Sequence, residues 1–298
     1  MKILLFGKGG QVGWELQRSL APLGALITLD FDSTDFHADF SQPAALTDTV
    51  RAVRPDVIVN AAAHTSVDKA ETEPDLATAL NAEAPRVLAG EAAALGSWLV
   101  HYSTDYVFDG SGNTPRDEAA ATGPLSVYGR TKLDGENHIR ASGCRHLILR
   151  TSWVYAARGG NFARTMLKLA AERDALSVID DQIGAPTGAD LVADITAHAI
   201  RATQREPQLG GTYHAVAAGE TSWHGYACFV IDWARAHGLP VKVPVGAVSA
   251  VPTNAQPTPA RRPLNSRLAT EKLRRSFGLT LPHWQSGVER MLAEAYQE

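Results

Sequence analysis

The chain of 298 residues is long enough for one large or two smaller domains, and its 45% hydrophobic content supports a sizeable core. Its formal net charge of −4 gives no reason to expect nucleic acid or an anionic membrane as a partner. The two cysteines, Cys144 and Cys228, have no metal-ligand spacing and form no disulfide framework, so we expect both to pack in the core.

The N-terminus has the pattern of a dinucleotide-binding site. Residues 2–6 form an apolar run of strand length, and residues 14–20 carry apolar side chains at helical spacing. Between them, Gly7, Gly10 and Gly13 follow a G-x-x-G-x-x-G pattern, which differs from the standard G-x-G-x-x-G. Glycines let backbone N–H groups approach a pyrophosphate at the positive end of the helix. A plain glycine turn is the less favoured alternative.

A carboxylate follows the second predicted strand, residues 25–29. This carboxylate, Asp30, is placed where dinucleotide-binding folds hold the adenosine ribose. It should favour NADH by repelling the 2′-phosphate of NADPH. Lys8, inside the glycine turn, could offset that repulsion. The choice between NADH and NADPH therefore stays open at this point.

Strand and helix signals alternate through the rest of the first half, which predicts an α/β fold with a doubly wound parallel sheet of the Rossmann type. Predicted strands cover 57–59, 98–102 and 146–149, and predicted helices cover 43–53, 74–95 and 126–141. Ligands of such sheets bind beyond the carboxyl ends of the strands. Five groups of residues lie at the carboxyl ends of predicted strands: Gly7, Asp30, residues 60–64, residues 103–105 and residues 151–153.

The second half is less regular. Helices are predicted at 161–173, 189–201, 222–237 and 284–296. Residues 243–263 are rich in proline, and we interpret them as a loop folded over a ligand rather than as a linker. We expect a dinucleotide-binding domain at 1–155, to which a segment near 185–215 returns, and a smaller mixed α/β substrate-binding domain at 156–298.

Tyr128 and Lys132 are spaced so that both lie on one face of a helix. Such a pair can deliver a proton to a carbonyl oxygen while a nicotinamide supplies a hydride. A free phenol has a pKa of about 10, and we expect the nearby ammonium and the positive nicotinamide ring together to lower it. Lys132 could also hold the nicotinamide ribose, and Thr104 could donate a hydrogen bond to the substrate oxygen. An exposed aromatic residue with no role is the alternative for Tyr128.

Other chemistries find little support. The ten histidines show no H-E-x-x-H spacing, so a catalytic metal is not expected, and no G-x-S-x-G elbow indicates an α/β-hydrolase. No apolar run approaches membrane-spanning length, and Met1 leads directly into a strand, so we expect neither a signal peptide nor a membrane anchor. A reducing cytoplasm is the expected compartment.

These residues together resemble the dTDP-4-dehydrorhamnose reductase family of the extended short-chain dehydrogenase/reductase superfamily. The resemblance covers essentially the whole chain and is strongest in six stretches: Phe6–Gly13, Asn60–Asp68, Tyr102–Asp109, Arg150–Tyr155, Asp181–Thr187 and Pro259–Pro263. It implies reduction of the C4 ketone of a dTDP-linked 6-deoxy-4-keto-L-hexose by NADPH or NADH, with Tyr128 as the proton donor.

The resemblance also implies roles for individual residues. The cofactor-binding positions would be Gly10, Gln11, Val12, Asp30, Asp39, Phe40, Ala63, His64, Thr65, Tyr128 and Lys132. The sugar would face Thr104, Asp105 and Trp153, with a packing role as the alternative for Trp153. Arg261 and Arg262 suit the pyrophosphate, since a guanidinium offers paired donors to phosphate oxygens; a solvated basic pair is equally compatible with the sequence.

Members of this family can be homodimers joined through a magnesium ion. Glu15 and Asp190 would be its ligands here, although Asp190 is one carbon shorter than the glutamate expected from the family. The same fold and tyrosine pair would also serve a nucleotide-sugar epimerase or dehydratase, or a regulatory NAD(P)-binding protein without turnover. Consumption of NAD(P)H distinguishes the reductase from these alternatives.

Overall fold

The computed structural model describes residues 1–296. The strands are β1 (Lys2–Phe6), β2 (Ala25–Leu29), β3 (Val57–Asn60), β4 (Trp98–Thr104), β5 (Arg145–Thr151), β6 (Val154–Tyr155), β7 (Leu176–Ile179), β8 (Ile183–Gly184), β9 (Thr187–Gly188), β10 (Gly211–His214), β11 (Thr221–Ser222) and β12 (Val248–Val251). The helices are α1 (Gln11–Leu20), α2 (Leu46–Val53), α3 (Val67–Ala70), α4 (Pro74–Thr78), α5 (Ala84–Leu95), α6 (Val127–Ala141), α7 (Phe162–Glu172), α8 (Ala189–Arg205), α9 (Trp223–Ala236), α10 (Glu271–Phe277) and α11 (Trp284–Tyr296).

A six-stranded parallel sheet organises the fold, in the order β10-β5-β4-β3-β1-β2. The predicted doubly wound parallel sheet is confirmed. Its central strands are fully buried and mostly apolar, because helices cover both faces, and their polar residues lie mainly toward the carboxyl ends. The chain leaves β1 for β2 on one side and later places β3 on the other. This reversal opens a crevice at the carboxyl ends of β1 and β3, where ligands bind in such sheets.

The predicted helix at 74–95 is confirmed in its extent, but it is not α-helical throughout. It consists of α4, a π-helical turn (Ala79–Glu83) and α5. Pro85, in the first turn of α5, has no N–H to donate to the carbonyl of Asn81, so the regular ladder is interrupted there. The buried Asn81 side chain instead bonds the backbone of His64 and the hydroxyl of Thr131. The Asn81 side chain thus holds the loop that follows β3 in place.

The second half of the chain is only partly separate from the sheet. β10 pairs with β5, and α8 packs against α1 on the sheet face. A further apolar cluster joins α7, α9 and α11. We therefore propose a dinucleotide-binding part at 1–155 with residues 189–214 added to it, and a substrate-binding part formed by the remainder.

The segment 243–263 contains structure that the sequence did not predict. Its residues 248–251 form β12, which pairs in parallel with β7. A short 3-10 turn, Thr253–Ala255, follows it. Among residues 1–296, no helix combines the length and the apolar character needed to cross a membrane.

Candidate active site

A cavity of about 740 Å³ lies at the carboxyl ends of the sheet strands. It brings together most of the residues that the sequence indicated for cofactor and sugar. These are Gly7, Gly10, Gln11, Val12, Asp30, Asp39, Phe40, Ala63, Thr65, Thr104, Asp105, Tyr128, Lys132 and Trp153. One continuous space therefore runs from the glycine turn to the tyrosine.

The glycine turn is built for close approach of the backbone. Gly7 has φ +84°, and a Cβ there would lie 2.6 Å from the backbone nitrogen of Ala62. A Cβ on Gly13 would lie 1.8 Å from the carbonyl oxygen of Gly7, so Gly13 lets α1 pack on the turn and does not itself line the cavity. Gly10 is the N-cap residue of α1, so no side chain satisfies the first N–H groups of this helix. The N–H groups at the start of α1 thus suit the pyrophosphate of a dinucleotide.

Asp30 is tied to the glycine turn as well as to the cavity. Its Oδ2 accepts a hydrogen bond from the N–H of Gly9 at 2.8 Å, and its Oδ1 accepts one from Phe31 at 3.0 Å. The carboxylate therefore orders the turn before any ribose contact is made. Asp39 accepts from the N–H of Ser41 at 2.8 Å, and bonds from Ser41 lower the pKa of Asp39. Both acids suit hydroxyl groups of the cofactor.

Tyr128 lies in the first turn of α6. Ser126 caps this helix by accepting from the N–H of Gly129 at 3.2 Å, which fixes where the helix begins. The Tyr128 ring packs edge-on against Tyr106, with centroids 5.5 Å apart. Burial raises the pKa of Tyr128 to about 12, although a bond to Thr104 acts in the opposite direction. The phenol is therefore protonated near neutral pH, as a proton donor must be.

Within the chain itself, burial acts against the expected lowering of the tyrosine pKa, so that lowering stays a prediction for the complex with the nicotinamide. The Nζ of Lys132 donates to the carbonyl of Tyr102 at 2.6 Å and lies 3.3 Å from Nε2 of His101. Burial lowers the pKa of Lys132 to about 8, with Glu136 acting in the opposite direction. Burial therefore outweighs the charge of Glu136 at Lys132, whereas at Tyr128 burial and the charge of Asp105 act in the same direction.

Thr104 and Asp105 end β4 and begin the next turn. Thr104 donates to Oδ1 of Asp105 at 3.1 Å and accepts from the N–H of Tyr106 at 3.2 Å. Burial raises the pKa of Asp105 to about 6. Its Oδ2 has no hydrogen-bond partner within residues 1–296, so it can accept a hydrogen bond from a hydroxyl group of a bound sugar.

Trp153 and Trp223 form an aromatic wall of the cavity, of which the sequence indicated only Trp153. Trp153 follows β5 with φ +49°, and its ring stacks on that of Trp223. The indole N–H of Trp223 donates to Oε1 of Gln182 at 3.1 Å. Both tryptophans line the cavity. Trp223 was missed because it opens a predicted helix of the second half with no motif around it.

Besides Gly13, three residues named from the sequence for cofactor or substrate lie outside the cavity lining: His64, Arg261 and Arg262. The ring of His64 is buried and lies 3.3 Å from Glu73. The Arg262 guanidinium binds both carboxylate oxygens of Asp68, at 2.7 and 3.1 Å, while Arg261 is exposed. Their contacts with cofactor or pyrophosphate stay predictions.

The proposed metal ligands lie at a separate, smaller cavity. Asp190 accepts from Arg290 at 2.8 Å, and Glu15 lies 3.4 Å from Arg18. Within the described residues, no cluster of three or more His, Cys, Asp or Glu side chains could hold a metal ion. Both carboxylates are paired with guanidinium groups, so this arrangement does not fit magnesium.

Comparison with known proteins shows the family to which the chain belongs. The family described as RmlD substrate binding domain matches residues 1–297. The dTDP-4-dehydrorhamnose reductase of Shigella flexneri is 59% identical over 296 residues, which cover 99% of this chain and 98% of that protein. The chain belongs to the dTDP-4-dehydrorhamnose reductase family. Membership in this family makes it an oxidoreductase.

Solved structures of the dTDP-4-dehydrorhamnose reductase family have the same fold over their full lengths. The enzyme of Clostridium acetobutylicum has a TM-score of 0.88 at 34% identity and covers 99% of both chains. That of Bacillus anthracis, in complex with NADP, has a TM-score of 0.86 at 33% identity and covers 99% of this chain and 100% of its own. The resemblance inferred from the sequence motifs is confirmed.

Proposed function

We propose that this protein reduces the C4 ketone of dTDP-4-dehydrorhamnose to give dTDP-L-rhamnose, with NADPH as the reductant and NADH as an alternative. The observation that carries the proposal is the protonated Tyr128, which lies beside Thr104 in a cavity that begins at the glycine turn. Family membership and a relative in complex with NADP support the same reaction.

The reduced nicotinamide, when bound, supplies a hydride to C4. Tyr128 donates its hydroxyl proton to the C4 oxygen, which becomes the product hydroxyl, and Tyr128 then regains a proton from solvent. Thr104 turns its single hydroxyl proton from Asp105 to the transient phenolate, since a hydrogen bond from Thr104 acts to lower the pKa of Tyr128. Asp105 and Trp153 orient the sugar, and Lys132 binds the nicotinamide ribose.

The remaining assignments belong to the same proposal. The glycine turn binds the pyrophosphate of the cofactor, Asp30 and Asp39 bind its adenosine side, and residues 63–65 line its cleft. Homodimer formation and a cytoplasmic location are expectations that the reaction itself does not need.

A stoichiometric assay tests the function against its nearest alternatives. We expect the purified chain to oxidise one NADPH for each dTDP-4-dehydrorhamnose consumed, followed by absorbance at the nicotinamide band and by chromatography of the sugar nucleotide. A sugar that changes while the cofactor stays reduced would indicate an epimerase. A product that has lost water would indicate a dehydratase, and no reaction at all would favour a regulatory protein.

A further inference from the structure

Three polar side chains form a buried row behind the tyrosine: Asn60, His101 and Lys132. They are exposed by 1%, 1% and 3%. Nδ2 of Asn60 lies 3.1 Å from Nδ1 of His101, and Nε2 of His101 lies 3.3 Å from Nζ of Lys132. A row this deeply buried must match donors to acceptors, because water cannot replace a missing partner.

The backbone fixes the direction of the first bond in this row. The N–H of Ala62 donates to Oδ1 of Asn60 at 3.1 Å, so the amide NH₂ of Asn60 points at His101. Nδ1 of His101 therefore accepts. Burial is the main cause that lowers the pKa of His101 well below its usual range, so the imidazole is neutral and carries one proton.

The single imidazole proton must then lie on Nε2, facing Lys132. An ammonium group has only donors, whereas a neutral amine has a lone pair that can accept this N–H. Nζ also donates to the carbonyl of Tyr102, a contact that either form of the lysine can make. The row is thus fully matched when Lys132 is neutral and is mismatched when it is charged.

We propose that Asn60 and His101 are positioning residues that disfavour the ammonium form of Lys132 and couple its protonation to the tautomer of His101. For Lys132 to take up a proton from solvent, Nε2 of His101 must become the acceptor and its proton must move to Nδ1. That movement sets an N–H against the amide NH₂ of Asn60 and breaks the bond between them.

Other charged groups near Lys132 act in both directions. Glu136, one turn later on α6, favours the ammonium form. Its own charge is offset by Arg150 on β5, at 2.7 and 2.8 Å, and by Arg140, at 2.9 Å. Tyr128, one turn earlier, is neutral near pH 7. The histidine row can therefore decide where Lys132 titrates.

The consequence for catalysis rests on the proposed function. A charged Lys132 favours the phenolate that forms as Tyr128 gives up its proton, so kcat/KM should fall on the basic side as Lys132 loses its charge. The row would place that loss of charge at a lower pH than the pKa of about 10.4 that an ordinary lysine has.

Nitrogen NMR of the unmodified protein tests the row without any turnover. With ¹⁵N-labelled histidine, the His101 signals are assigned by their loss in a His101→Gln variant. At pH 9 we expect Nδ1 to be unprotonated and Nε2 to carry the proton. A proton on Nδ1 would overturn the proposal, and this readout does not depend on the substrate.

A nearly isosteric variant, Asn60→Asp, tests the coupling. Its carboxylate still accepts from Ala62 but also accepts from Nδ1–H of His101, which frees Nε2 to accept from an ammonium group. The basic limb of kcat/KM should move up by about one pH unit or more. In a His101→Phe background, the charge of Asn60→Asp can act on Lys132 only through space. The shift of the basic limb should then be less than half of that seen with His101 present. An equal shift in both backgrounds would overturn the coupling, and if Asn60→Asp fails to fold, the NMR result alone decides.

Discussion

The indole ring of Trp153 stacks on that of Trp223, with centroids 3.7 Å apart and planes inclined by 15°. Trp153 follows a strand of the central sheet, whereas Trp223 begins α9 in the other half of the chain. Gln182 holds the second indole by its N–H. The backbone of Trp153 has φ +49°, a conformation that costs energy in a residue with a side chain. The stack therefore fixes one wall of the cavity across both halves of the protein.

Replacing Trp223 should weaken sugar binding and leave the cofactor unaffected. Trp223→Phe loses the bond to Gln182 and part of the stack, which together stabilise Trp153 by about 1 kcal/mol. We expect KM for the sugar nucleotide to rise about fivefold, while the Kd for NADPH, measured by fluorescence titration, stays the same. Trp233→Phe, on the same helix but away from the cavity, is the control. Equal effects of the two substitutions would refute a role for the stack.

Removing the charge of Asp30 should shift the cofactor preference. Asp30→Asn keeps an oxygen that can accept from Gly9 but no longer repels a 2′-phosphate. We expect the ratio of kcat/KM for NADPH over NADH to rise about fivefold, since a like charge near a phosphate costs on the order of 1 kcal/mol. Asp32→Asn is the matched control, since Asp32 is exposed and does not line the cavity. If Asp30→Asn leaves the ratio unchanged, the discrimination resides in other residues.

Asp105 makes the stability of the protein depend on pH in an unusual direction. Its folded-state pKa of about 6 lies above the ordinary value of 3.8, so the folded chain holds this proton more tightly than the unfolded chain does. Its contribution therefore becomes unfavourable as pH rises from about 4 to 6, and stays so above that, by about 3 kcal/mol.

The variant Asp105→Asn should remove this cost. We expect its gain in the free energy of unfolding, measured with urea, to be clearly larger at pH 8 than at pH 5. Asp109→Asn is a control of opposite sign, because hydrogen bonds from Ser111 lower the pKa of Asp109, so its loss should destabilise the protein at neutral pH. A gain for Asp105→Asn that is the same at both pH values would contradict the argument.

The two adjacent arginines should have different roles: Arg262 should stabilise the fold, and Arg261 should bind the sugar nucleotide. Arg262 binds both oxygens of Asp68, and the bond from Arg262 lowers the pKa of Asp68, so Arg262→Ala should lower the free energy of unfolding by about 1 to 2 kcal/mol. Arg261→Ala should leave stability unchanged but raise KM for the sugar nucleotide, and more so at low salt. If KM stays the same in Arg261→Ala, a pyrophosphate contact of Arg261 is excluded.

The first half of the fold was predictable because its signals are local. An apolar run followed by a glycine turn defines β1 and α1, and alternating strand and helix signals define the sheet. The π-helical turn before α5 was not predictable in the same way. It depends on Pro85 and on the long-range contacts of Asn81, which no local pattern reveals.

The second half was harder to predict because its strands are short and pair over long distances. β10 has only four residues, Gly211–His214, and is identified as a strand by its pairing with β5. Trp223 shows the same limit at the site, since only the fold brings it onto Trp153. Likewise, the sequence placed Tyr128 and Lys132 together but not His101, whose contact with Lys132 determines what the lysine can do.

The most direct test of the account is the turnover of Tyr128→Phe with dTDP-4-dehydrorhamnose and NADPH, followed by absorbance at the nicotinamide band. Because this substitution removes only the hydroxyl that donates the proton, we predict a fall in kcat of at least about 100-fold, with the Kd for NADPH unchanged within about twofold. Turnover close to that of the unmodified protein would contradict the account, because the proton would then come from another group.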